Sequence, residues 1–132
     1  MPYMLDTNIV SDLIRNPRGI AARRTRLIGS HDIFVSILTC AEYRFGLAKR
    51  QSPIYSRRFE ELLQHIGLLS FEPPADTVYG RLRADLEAKG TPIGANDLLI
   101  AAHALTLGHV LVTDNEREFS RVPALVIENW LR

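Results

Sequence analysis

Four carboxylates occupy positions in this 132-residue chain where acids do chemistry: Asp6, Glu42, Asp97 and Asp114. Asp6 closes a short apolar run, Tyr3-Met4-Leu5, and Thr7 and Asn8 follow at once. Asp114 repeats that arrangement after Val110-Leu111-Val112-Thr113. Open α/β sheets bind ligands at the carboxyl ends of their strands, where both acids would lie. Glu42 and Asp97 stand near the starts of helical stretches, Asp97 after the glycine-containing loop Pro92-Ile93-Gly94-Ala95-Asn96. Each acid also has a structural reading. Asp6 and Asp97 fit helix capping as well as they fit function, with Thr7 and Asn96 as rival caps. Thr39-Cys40-Ala41-Glu42 has capping-box spacing, and local sequence favours that role for Glu42. Asp114 is a turn former. Glu118, itself spaced for a box with Asn115, competes with it for the fourth place.

Taken together, the acids converge on one edge of a doubly wound sheet with few basic residues in the adjoining motifs. Two such charges ~4 Å apart repel by roughly 4 kcal/mol at an effective dielectric near 20. Protons or hard divalent cations must relieve that repulsion, and an all-oxygen set selects Mg²⁺ or Mn²⁺ over zinc. The chain has one cysteine, Cys40, so a thiolate zinc cluster and an internal disulfide are excluded, and Cys40 reads as a small buried hydrophobe. His31, His65, His103 and His109 show no metal-ligand spacing, and His103 reads as a packed, hydrogen-bonded core residue. The chemistry of such an acidic cradle is in-line hydrolysis of a phosphodiester by metal-activated water.

The elements that must carry these acids alternate between strand-like and helix-like. Strands are expected at residues 3–6, 33–36, 68–71, 110–113 and 125–127. Helices are expected at 8–15, 39–49, from the 51–53 break through 64, at 76–88 and at 98–107, with a basic amphipathic stretch at 18–28. The last helix is apolar on nearly every side and so belongs in the interior. The pattern predicts a three-layer α/β/α architecture around a central parallel sheet, with residues 1–132 as a single domain.

A composition 46% apolar and 23% charged excludes a disordered chain, and a net charge of +1 gives no global attraction for nucleic acid. Any RNA contact must therefore be local. Arg outnumbers Lys, and Arg15, Arg18, Arg23, Arg24 and Arg26 cluster after the first strand, while Arg44, Arg50, Arg57 and Arg58 populate the helical hairpin. These side chains suit phosphates, although solvated helix faces use them equally well. Tyr43, Phe45 and Tyr55 suit base stacking, with core or dimer packing the favoured reading. No signal peptide and no membrane-length apolar run are found, which points to a cytoplasmic protein.

As an ordered set, several motifs resemble the PIN-domain ribonucleases. They are Met4-Leu5-Asp6-Thr7-Asn8, Ala41-Glu42-Tyr43 with Gly46, Pro92-Ile93-Gly94 with Asp97 and Ile100-Ala101-Ala102-His103-Ala104, and Leu111-Val112-Thr113-Asp114-Asn115 with Arg117-Glu118-Phe119. The nearest likeness is to the VapC toxins of toxin–antitoxin pairs. That resemblance implies a Mg²⁺- or Mn²⁺-dependent endoribonuclease that cleaves structured RNA such as tRNA or rRNA. It carries Asp6, Glu42 and Asp97 over as metal-site acids, reversing the local preference at Glu42, with Asp114 or Glu118 as the fourth. Thr113 and Asn8 would position water or phosphate. The same likeness implies a homodimer, a VapB-like antitoxin covering the site, and operator DNA bound only through that antitoxin.

Two other readings fit parts of the sequence. A non-catalytic PIN-fold module for binding partners would have no use for clustered acids. A phosphatase with an aspartyl nucleophile of the haloacid dehalogenase kind would end its first strand in Asp-x-Asp, where this chain has Asn8.

Overall fold

Strand β1 (Tyr3–Leu5) is only three residues long and lies at the centre of a five-stranded sheet ordered β3-β2-β1-β4-β5. The computed structural model describes all 132 residues. The other strands are β2 (Ile33–Ser36), β3 (Gly67–Leu69), β4 (Val110–Val112) and β5 (Ile127–Glu128), and every pairing is parallel. The helices are α1 (Thr7–Arg15), α2 (Ile20–Ile28), α3 (Ile37–Arg50), α4 (Pro53–His65), α5 (Ala75–Ala88), α6 (Ala95–Leu107) and α7 (Glu116–Phe119). The strand order reverses between β1 and β4, which makes their carboxyl ends the topological switch point of the sheet. Leu5 pairs with both Val35 and Val112, so β1 and β4 end at one level and β2 runs one residue further, to Ser36.

Side chains alternate across these strands and build two cores. Leu5, Ile33, Val35 and Val112 pack with α1, α2 and Phe59 of α4 on one face. Met4 and Leu111 pack with α5, α6 and Phe119 on the other. Met4 and Leu5 are fully buried on opposite faces, and truncating either to Ala would cost about 2–5 kcal/mol and loosen the strand that carries Asp6. Helix α6 is buried along Leu98, Ile100, Ala101, Ala102, His103 and Ala104, and its small residues let α5 pack along it. Gly108 ends it at φ 68°, a left-handed conformation that favours glycine. None of the helices is long and apolar enough to cross a membrane.

Several boundaries differ from the sequence expectation for local reasons. β3 is Gly67–Leu69 rather than 68–71, and Gly67, paired with Phe34, leaves room for the Phe34 ring that a Cβ there would strike. β5 is Ile127–Glu128 rather than 125–127. α3 starts at Ile37, since the Ser36 hydroxyl accepts the Leu38 N–H at 3.0 Å and takes the cap. Thr39 is thereby drawn into the first turn, its hydroxyl buried and without a partner, and no capping box with Glu42 forms. Cys40 and His103 are both buried as expected, and His103 Nδ1 lies 2.8 Å from Ser36 Oγ.

Candidate active site

The end of β1 hands the chain directly to α1, and Asp6 is the hinge between them. It is the N-cap of α1, with Oδ1 accepting the Thr7 N–H at 2.8 Å. Thr7 is not the cap; its buried hydroxyl is turned to Glu42, whose carboxyl it lowers against the larger effect of burial. The other oxygen, Oδ2, accepts the Thr113 hydroxyl at 2.8 Å and the Asn8 amide at 3.3 Å. Asp6 is only 5% exposed, and burial raises its carboxyl above the ordinary range despite those three donors. Capping therefore uses one oxygen and leaves the residue at the switch point.

Three further acids gather around it. Glu42 projects from α3, and burial together with the charge of Asp6 raises its carboxyl. Asp97 lies in the first turn of α6, whose N-cap is Gly94 with no side-chain cap. Burial, then the charges of Asp6 and Glu118, push Asp97 up to about 7. Glu118, from α7, moves the opposite way, lowered chiefly by the Gly94 backbone N–H that donates to its Oε1. It also accepts from Asn115 Nδ2 at 3.3 Å, while the same amide donates to Asp97 Oδ2 at 3.1 Å. The two acids therefore titrate as a pair, Asp97 held up and Glu118 held down.

Gly94 and Asn115 thus join the site although neither carries charge. A Cβ at Gly94 would stand in ordinary contact, 3.4 Å from Glu118 Oε1 and 3.9 Å from Asp97 Oδ2, so the loop backbone there lies directly against the acids. The run Gly94-x-x-Asp97 and the placement of Asn115 after a strand end are the sequence traces of these roles.

Asp114 points elsewhere. Its backbone N–H donates to Asn8 Oδ1 at 3.0 Å, but its carboxylate accepts from Asn129 at 2.9 Å on the outer side of the loop. The structure groups Glu118, not Asp114, with Asp6, Glu42 and Asp97. The expected box between Asn115 and Glu118 is absent, because Glu118 reaches the Asn115 side chain and Gly94 instead. Asn8 and Thr113 bind Asp6 and each other's loop, so they fix the acid in place. Arg44 is occupied at 2.7 Å by Glu60, above the Phe59 ring. Arg15 and Arg18 line a cleft of about 640 Å³ at the far end of α1, about a helix length from Asp6.

No salt bridge reaches Asp6, Glu42, Asp97 or Glu118. No three of the chain's acids, histidines and cysteine stand as a ready-made metal cage. The donor chemistry nevertheless fits a hard divalent cation: carboxylate oxygens only, three of the four held above their usual pKa, none paired with a base. A cation would relieve the burial and repulsion that raise them.

The sequence profile of the PIN domain matches residues 3–125. The chain belongs to the PIN-domain family, in its VapC branch. Ribonuclease VapC2 of Rickettsia felis is 37% identical over 132 residues, covering 98% of both chains. Ribonuclease VapC2 of Haemophilus influenzae (strain Rd) is 40% identical over 133 residues, covering 99% of each. The tRNA(fMet)-specific endonuclease VapC of Shigella flexneri is 35% identical over 131 residues, covering 98% of each. Among solved structures, VapBC2 from Rickettsia felis bound to a DNA fragment from its promoter superposes with a TM-score of 0.91 at 35% identity, covering 98% of this chain and 99% of that one. As a VapC-family PIN domain, the chain has the three-layer fold expected of it, with the parallel sheet at the centre.

Proposed function

We propose that this chain is a Mg²⁺- or Mn²⁺-dependent endoribonuclease and the toxin of a toxin–antitoxin pair. The observation that carries the reading is the set of clustered, unpaired carboxylates at the switch point, with Asp97 raised to about 7 by burial and by the charges of its neighbours. Asp6, Glu42, Asp97 and Glu118 would hold the cation, with Glu118 preferred to Asp114 because the Asp114 carboxylate is turned to Asn129. A divalent cation there supplies charge to activate water and to steady the leaving oxygen of a phosphodiester.

The chain's own residues prepare that event. Thr113 and Asn8 hold Asp6 Oδ2 in one orientation, so the acid is placed before substrate arrives. Asn115 spans Asp97 and Glu118 and sets their spacing. Asp97 must give up its proton to act as an anion. The substrate proposed is structured RNA, tRNA before rRNA, in line with the Shigella flexneri relative's name as a tRNA(fMet)-specific endonuclease. A VapB-like antitoxin is proposed as partner, with operator DNA contacted through it, in line with the VapBC2–DNA complex of Rickettsia felis. A homodimer acting in the cytoplasm completes the reading.

The test is cleavage of total tRNA by the purified chain with Mg²⁺ or Mn²⁺, with EDTA, and as Asp6→Asn and Asp97→Asn. Cleavage is expected only in the wild type with metal. Equal cutting in EDTA or by both variants would overturn the proposal.

A further inference from the structure

Between α1, α3 and α4 a cavity of about 180 Å³ opens beside Glu42, and the acids' work does not require it. Its wall includes Thr7, Ser11, Tyr43, Gly46, Arg50 and Tyr55. The volume falls below the roughly 300–1,000 Å³ of drug-sized sites, so it suits a single ring system. Two tyrosines supply flat faces, and Tyr43 is held rigid against the buried Phe59 ring at 4.7 Å between centroids. A Cβ at Gly46 would meet nothing within 4 Å, so the space beside that backbone is open. The polar lining is rich in donors. Arg50 forms no salt bridge, and the buried Thr7 hydroxyl is turned to Glu42. Apart from Glu42, no residue of the wall is an obligate acceptor.

Unpaired RNA bases are bound by stacking on aromatic side chains and by hydrogen bonds along their edges. We propose that this cavity is a base subsite that seats one unpaired nucleobase beside the scissile phosphate and selects guanine through Arg50. The inference rests on the ribonuclease reading of the neighbouring acids. A guanidinium only donates, in a planar fork, and guanine presents O6 and N7 as adjacent acceptors. Adenine places an amino donor beside N7 and opposes that fork. Uracil lacks two adjacent acceptors, and cytosine, which offers O2 and N3 side by side, is a single ring that leaves part of the cavity empty.

The experiment uses an RNA stem-loop library with a randomised loop, cleaved in Mg²⁺ or Mn²⁺, with product ends sequenced. Guanine should be enriched at one fixed distance from the cut, on the order of 5- to 100-fold. Arg50→Ala should flatten that preference, and Arg50→Lys should not restore it, since an ammonium lacks the fork. Tyr55→Ala should raise KM on the order of 5- to 100-fold with kcat less affected, and Tyr55→Phe should keep the ring and the wild-type KM. Arg50 is exposed, so its loss leaves the core untouched. A wild type that cleaves without base preference, or an unchanged preference in Arg50→Ala, removes the subsite and leaves the ribonuclease standing. A wild type that cuts no RNA with either metal overturns both. Arg50→Ala with an unchanged RNA profile but lost inhibition by the antitoxin would make the cavity a protein-docking pocket and overturn the base subsite.

Discussion

The Thr113 hydroxyl donates to Asp6 Oδ2 at 2.8 Å across the point where the strand order reverses, tying the end of β4 to the end of β1. The same oxygen accepts the Asn115 N–H at 2.9 Å. One buried hydroxyl therefore orients Asp6 directly and, through Asn115, the pair Asp97 and Glu118. Strand register and site geometry are linked at this single group.

Thr113→Val keeps the shape and removes the hydroxyl. Asp6 then loses its strongest side-chain donor and Asn115 N–H its acceptor, at a cost of about 1–3 kcal/mol in stability. Metal affinity or RNA cleavage should fall roughly 10–100-fold, as when a group supporting a metal ligand is lost. Thr113→Ser should retain most of both. Calorimetry with Mn²⁺ and a cleavage assay on the three proteins provide the check; equal activity of the Val variant would deny the link.

Glu118 and Asp114 make a direct contrast. Glu118→Gln removes the charge beside Asp97 and should lower cleavage by at least about 10-fold. Asp114→Asn alters a carboxylate turned toward Asn129 and should leave cleavage within about two-fold, since exposed substitutions away from a site do little. The reverse ranking would return the fourth place to Asp114.

Much of this arrangement is legible in the sequence, and its gaps have physical causes. Asp6 and Asp97 can be singled out because a neighbour, Thr7 or Asn96, could serve as the cap in their place, although in the fold Asp6 both caps α1 and joins the site. Glu42 satisfies the local spacing of a capping box, yet Ser36 is already the cap, and only the β2–α3 geometry reveals that. Asp114 and Glu118 follow the same strand, and the chain's direction after Thr113 decides which faces the site. That direction depends on Asn8 and Asn129, far away in sequence, which no local pattern reports. Five parallel strands are foreseeable, but the order β3-β2-β1-β4-β5 is set by crossovers. Gly94 and Asn115 escape notice because a backbone N–H and a neutral amide leave no charge to find.

Asp97 gives the metal-free protein a pH dependence of definite sign. Its carboxyl is raised from 3.8 to about 7 in the fold, so a proton on it favours folding. That contribution is complete below about 3.8, declines as pH rises, and is gone above about 7. Asp97→Asn should therefore stabilise the EDTA-treated chain at pH 8, by about 1–2 kcal/mol after allowance for solvent screening of a half-exposed group. At pH 4 the gain should vanish. Urea unfolding at both pH values measures it, and a gain that grows toward acid would contradict the assignment.

His103 works in the opposite direction and in a different place. Its ring is 1% exposed and set edge-on to Phe71, with Nδ1 at 2.8 Å from Ser36 Oγ. Burial lowers its pKa below the ordinary 6.5, and the Ser70 backbone offsets only part of that. The fold holds the neutral ring while the unfolded chain takes up a proton first as pH falls. Stability from this group is therefore full above about 6.5 and is lost as pH drops toward and through the lowered folded value. His109, lowered by burial and by His103, adds to the same loss. The measurement belongs in the Asp97→Asn background, where the carboxyl no longer titrates. Between pH 7 and 5 the raised carboxyls of Asp6 and Glu42 act oppositely in both proteins, so the comparison carries the test: adding His103→Gln should remove a loss of unfolding free energy on acidification that the Asp97→Asn protein alone shows. An identical slope with and without His103 would show that its buried ring is not what acid unfolding must charge.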